Sequence, residues 1–114
     1  MQNGLSGDLI DMRVSSSGTL SIEIRGRLTR YEVPRIYRRL KKELNSRAIA
    51  GVELNLFNVS TVDTAGVALF VALCREAKKR GISFKLKNPS EHAVRVIKLA
   101  RLENLLLENR TGEG

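Results

Sequence analysis

The chain is short of the residues that usually announce chemistry. In 114 residues it has one cysteine, one histidine, no tryptophan and two prolines. The lone Cys74 can close no internal disulfide, so nothing asks for an oxidising compartment. Cys74 and His92 together cannot make a structural zinc site, and no metal is expected. The aromatic residues are only Tyr31, Tyr37, Phe57, Phe70 and Phe84, which implies an aliphatic core and argues against a base-stacking platform. The longest apolar run, Val67 to Cys74, is eight residues long, whereas a membrane-spanning helix needs ~20. The start, MQNGLSGDLIDMR, lacks the basic-then-apolar pattern of a secretion signal. There is no glycine-rich phosphate loop of the Walker or dinucleotide type, and no cofactor is expected. A cytoplasmic protein is the default reading.

What is present is an ordinary globular balance, 42% hydrophobic and 28% charged, with a net charge of +8. The length suits a single domain over residues 1–114, with 1–7 and 110–114 as loose ends. Residues 9–14 and the alternating Leu20, Ile22 and Ile24 read as a hairpin across Ser15–Gly18, ended by Gly26. Val33, Ile36, Tyr37, Leu40 and Leu44 then fall at helical spacing. Thr29 with Glu32 suggests a capping box, Pro34 a later start, and the two cues leave the first residue open. Val52, Leu54 and Leu56 alternate as a strand, followed by a polar loop through Asn58, Ser60 and Thr61. Asp63 is a good cap for a helix that Gly81 closes near Arg80. Ile82, Phe84 and Leu86 form another strand. Asn88, Pro89 and Glu91 mark a last helix, with room for a short final strand. The order β-β-α-β-α-β-α describes an α/β fold, a mixed sheet that is parallel except for its antiparallel N-terminal hairpin and is packed by helices.

One segment carries more than fold. Asn55 to Leu69 runs from a strand through a polar loop into Asp63-Thr64-Ala65-Gly66 at a helix start. Together with Gly26-Arg27-Leu28, Lys79-Arg80-Gly81, Asn88-Pro89-Ser90 and Leu99-Ala100-Arg101-Leu102, it resembles the STAS family, named for sulfate transporters and anti-sigma factor antagonists. The resemblance covers most of the chain. It implies a STAS-like fold and a non-enzymatic bacterial switch or docking module that binds a nucleotide-binding partner protein. In the antagonists the hydroxyl of this motif is phosphorylated by a partner kinase and binding is lost, and the matching residue is Thr64. Two positions depart from the antagonist pattern. Threonine stands where serine is commoner, and Thr29 stands where an acidic residue usually follows Gly-x-Leu.

The physics at Thr64 agrees with that expectation. A helix N-terminus offers backbone N–H groups and a positive dipole end, so a phosphate is tolerated there. Its ~1.5–2 negative charges would still repel an apolar partner surface. At 100° per residue, Phe70, Leu73, Cys74 and Ala77 face the sheet. Ala65, Ala68, Val71 and Ala72 share a side with Arg75 and Lys79, a pattern that suits close docking unless the first helix or the last segment covers it. The expected docking residues are therefore Asp63, Thr64, Ala65, Gly66, Ala68, Val71, Ala72, Arg75 and Lys79. His92 reads as solvated, and no residue is assigned to catalysis.

Two partners fit. The first is the ATPase or permease of a phospholipid ABC transporter of the Mla type, favoured by the threonine and by Ala77-Lys-Lys-Arg-Gly81. The alternative is an anti-sigma factor kinase, with this chain as its antagonist. Residues 31–47 hold six Lys or Arg against two Glu. Beyond a merely solvated face, that charge suits an acidic protein or an anionic membrane surface at the inner face of the cytoplasmic membrane. Sequence-specific nucleic-acid binding lacks any supporting motif.

Overall fold

The computed structural model describes residues 10–107. Four strands, β1 (Ile10–Val14), β2 (Thr19–Leu28), β3 (Gly51–Val62) and β4 (Ser83–Lys87), form one sheet in the order β1-β2-β3-β4. β1 pairs antiparallel with β2, and β2–β3 and β3–β4 are parallel. The helices are α1 (Val33–Ser46), α2 (Thr64–Arg80), α3 (Glu91–Leu99) and the short α4 (Glu103–Leu106). This is the mixed sheet, parallel except for its N-terminal hairpin, that the sequence led us to expect. The expected loose ends, 1–7 and 110–114, lie outside the described residues.

Strand alternation builds the core. Leu20, Ile22 and Ile24, then Val52, Leu54 and Leu56, then Leu86 turn one way. They meet Ile36, Leu40 and Leu44 of α1, Phe70 and Leu73 of α2, and Ala93 and Ile97 of α3. The intervening Asp11, Arg13, Ser21, Glu23, Glu53, Asn55 and Lys87 share the opposite, polar face. Burying such aliphatic side chains contributes about 1.5–3 kcal/mol each.

The strands run further than the alternation suggests. Gly26 does not end β2; it sits inside the strand at φ +90°. The pairing shifts register between Glu23 and Arg25 and again between Gly26 and Arg27. Asn58, Ser60 and Thr61 are not a loop but the end of β3, where Arg25 lies opposite Asn58 and Leu28 opposite Val62. The irregular pairing breaks the period of two, so the buried Val59 and Val62 stand three apart.

Both helix-start cues for α1 hold in part. Glu32 is the cap residue and Pro34 takes the second helical position. One turn earlier, Thr29 N–H and Oγ1 donate to Glu32 Oε1 at 2.9 and 2.6 Å. α3 starts later than expected. Ser90, not Asn88, caps it, accepting from Ala93 N–H, while Asn88 turns the chain at φ +56°. The anticipated final strand is instead the single turn of α4.

Candidate functional site

The parallel strands β2 and β3 end side by side, and both chains turn into helices there. Asp63 fastens the two exits. Its Oδ1 accepts from Gly66 N–H at 3.1 Å, capping α2, and its Oδ2 accepts from Arg30 N–H at 3.0 Å. Partial burial pushes the Asp63 carboxyl up, but the N–H groups of Arg30, Gly66 and Ala65 outweigh that and hold it below the usual range. Gly66 makes the close approach possible. A Cβ there would lie 2.5 Å from the Leu28 carbonyl oxygen and 2.8 Å from Val62 Cγ1.

Thr64, the first residue of α2, is exposed. It stands at one end of an apolar groove of about 410 Å³ between α2 and α3. Val67, Ala68 and Val71 form one wall, Val96, Leu99 and Ala100 the other, with Leu102 beside them. Leu99, on the second wall, is 78% exposed. His92 sits near the Thr64 end, its Nε2 3.2 Å from the Val62 carbonyl oxygen, so the ring nitrogen donates.

The structure sorts the expected docking residues. Thr64, Ala68, Arg75 and Lys79 are exposed; Asp63, Ala65, Val71 and Ala72 are half-buried. Gly66 is buried, packed closely enough on Leu28 and Val62 that a side chain would not fit. Asp63 likewise holds backbone rather than facing outward freely. The apolar residues divide between two flanks. Val71 turns with Thr64 and Ala68 to the groove beside α3. By helical spacing Ala65 and Ala72 lie towards α1, on the side where Glu76 reaches Lys41 at 3.5 Å. Cys74 is half-buried against the core.

Sequence reasoning missed the second wall of the groove and the approach of His92. Both contacts join residues about thirty positions apart, and no local pattern reports them. Among the described residues, no group of three or more His, Cys, Asp or Glu could hold a metal. Nor is any helix of them long and apolar enough to cross a membrane.

Comparison with known proteins bears on most of the chain. The STAS domain family model matches residues 11–113. The anti-sigma-B factor antagonist of Bacillus subtilis (strain 168) is 30% identical over 97 residues, 83% of this chain and 85% of that protein. The anti-sigma factor antagonist SpoIIAA in its unphosphorylated form superposes with a TM-score of 0.75 at 22% identity, over 85% of this chain and 84% of that one. The phosphorylated form of the Bacillus cell fate determinant SpoIIAA gives 0.68 at 22% identity, over 85% and 87%. At those identities the structural likeness speaks for the fold.

Proposed function

Because the chain belongs to the STAS domain family, we propose that it is an anti-sigma factor antagonist that docks a nucleotide-binding anti-sigma factor kinase at the Thr64 end of α2. The observation that carries this is the exposed Thr64 hydroxyl at the head of an apolar groove, on a helix start held by Asp63. The groove supplies apolar area for a partner, and Thr64 supplies a place to switch it off. Phosphorylation would put ~1.5–2 negative charges beside Asp63 and at the groove's end. The helix N-terminus tolerates the anion, so the fold survives, while the partner's apolar surface is repelled. The chain is read as non-enzymatic and as working in the cytoplasm, where such a kinase acts.

The order of the two partners is thereby the reverse of that suggested by the sequence. The relative at 30% identity is named an antagonist, which supports the kinase over the transporter. The docking geometry would serve an ABC transporter ATPase as well, and the threonine of Asp63-Thr64-Ala65-Gly66 is what favours that second reading.

A tagged pull-down with mass spectrometry, followed by titration of the captured partner, tests both. An anti-sigma factor kinase is expected, and Thr64→Glu should weaken its binding at least about tenfold with an unchanged melting temperature. Capture of a transporter ATPase or permease would overturn the antagonist reading. Unchanged affinity of the Thr64→Glu variant would remove Thr64 from the interface.

A further inference from the structure

The positive charge of this protein is not spread evenly. The four strands carry five Lys or Arg against three Asp or Glu, while α1 alone carries five against one. On α1 the buried stripe is Ile36, Leu40 and Leu44. At 100° per residue the opposite, outward stripe is Arg35, Arg38 and Lys42, with Arg39 alongside. Arg35, Arg38 and Lys42 are exposed and Arg39 is half-buried. Among the described residues, none of these four has a carboxylate within ion-pair distance. The carboxylates of the cap, of α1 and of α2 are engaged elsewhere: Glu32 with Thr29 and Arg27, Glu43 with Arg47 at 2.8 Å, and Glu76 with Arg80 and Lys41.

We propose that this outward face of α1 binds an anionic lipid surface. Two observations favour lipid over an acidic protein. First, the face has no apolar anchor of its own: among the described residues the exposed large hydrophobics are Tyr31, Phe57 and Leu99, none of them on α1. Protein interfaces draw their affinity from a desolvated apolar centre, which a row of solvated cations does not supply. Against a dense layer of headgroup phosphates, by contrast, each cation adds its own attraction without a fitted pocket. Second, Tyr31 stands 68% exposed two residues ahead of the helix. The Arg30 guanidinium lies over its ring, 5.0 Å from the centroid, and donates to its hydroxyl at 2.9 Å. An aromatic body with a polar, cation-bearing tip is suited to the headgroup layer. The surface is distinct from the α2–α3 groove and does not depend on which protein docks at Thr64.

Cosedimentation of the purified protein with vesicles tests this. Binding is expected to equimolar phosphatidylglycerol and phosphatidylcholine at low salt, not to phosphatidylcholine alone. It should vanish in roughly 1 M salt, where the Debye length is ~3 Å. The variant Arg35→Gln/Arg38→Gln/Arg39→Gln/Lys42→Gln should lose at least about tenfold in affinity while melting no lower than the parent. The charge-keeping variant Arg35→Lys/Arg38→Lys/Arg39→Lys should still bind. Equal sedimentation with neutral vesicles, or none with anionic ones, would overturn the proposal, as would undiminished binding of the glutamine variant. Tighter retention on duplex DNA than on the anionic vesicles at equal phosphate would overturn it in favour of a nucleic acid.

Discussion

Gly66 and Thr64 sit two residues apart on the same turn and carry opposite duties. A methyl group at Gly66 would press on the Leu28 carbonyl oxygen and on Val62 Cγ1, and the first of these is backbone with little room to give. Gly66→Ala is therefore expected to destabilise by about 1–3 kcal/mol, the usual cost of overpacking a tight contact. Urea denaturation measures it, and a variant as stable as the parent would mean that α2 can lift off β2 freely. Thr64 makes no such demand, since its side chain is exposed, and substitutions there should register in binding rather than in folding. Asp63 as the cap and Thr64 as the first helical residue were legible in the sequence because a cap is defined by local chemistry, whereas Thr64 as a switch came from the family resemblance. Gly66 was half legible: the sequence marks the glycine but not which strand it touches. His92 and Leu99 were not legible in their roles, because their partners come from other elements. For Leu99, only the folded arrangement shows that α2 and α3 leave a groove for it to flank.

At the scale of elements, two ionised carboxylates hold the helix starts at this end of the sheet. Asp63 fastens α2 to the Arg30 backbone, and Glu32 closes the turn ahead of α1 on Thr29. Partial burial raises the Glu32 carboxyl, but the Thr29 hydroxyl and N–H and the Arg27 charge outweigh it and hold it below its usual range, as happens at Asp63. A folded pKa below the unfolded one contributes stability at pH above the unfolded value, and that contribution is lost as pH falls through the folded value. These two residues should thus add nothing to the pH dependence between pH 6 and 7.5 or so, and stability should drop below about pH 4. Glu32→Gln should cost roughly 0.5–2 kcal/mol at neutral pH, and its deficit should be smaller at pH 3, because the contribution of a lowered carboxyl is lost as pH falls. Denaturation at both pH values checks this, and a deficit independent of pH would show that shape rather than charge matters at Glu32. The same elements show where sequence patterns run out. Regular stretches of β2, β3 and α2 were read correctly because burial repeats with a fixed period. The outer half of β3 was taken for a loop because register shifts replaced that period, leaving Val59 and Val62 three apart. At α3, Asn-Pro-Ser offers two good caps, and the left-handed turn at Asn88 decides for Ser90.

The whole molecule is asymmetric in charge, and that has a consequence even without a partner. Nine Lys or Arg lie on α1 and α2 against two Glu, and both carboxylates are already paired. On α1, Arg35 and Arg38 are three residues apart, Arg35 and Arg39 four, and Arg38 and Lys42 four, so each adjacent pair repels by a few tenths of a kcal/mol on one helix. Salt screens exposed charges over ~10 Å at 0.1 M, so raising it should relieve this repulsion. The exposed ion pairs that salt also weakens, such as Arg47 with Glu43, are worth at most ~1 kcal/mol each and do not reverse the balance at a net charge of +8. Recovering about 1 kcal/mol in a domain of this size corresponds to roughly 4–8 °C, so the melting temperature should rise by a few degrees between low salt and physiological ionic strength. The four-glutamine variant of α1 should melt higher than the parent at low salt and respond less to added salt. If instead the parent's melting temperature is flat or falls with salt, the cations of α1 and α2 do not strain the fold. Lipid phosphates would then have no folded-state repulsion to relieve, and only direct attraction would remain to hold the protein on a membrane.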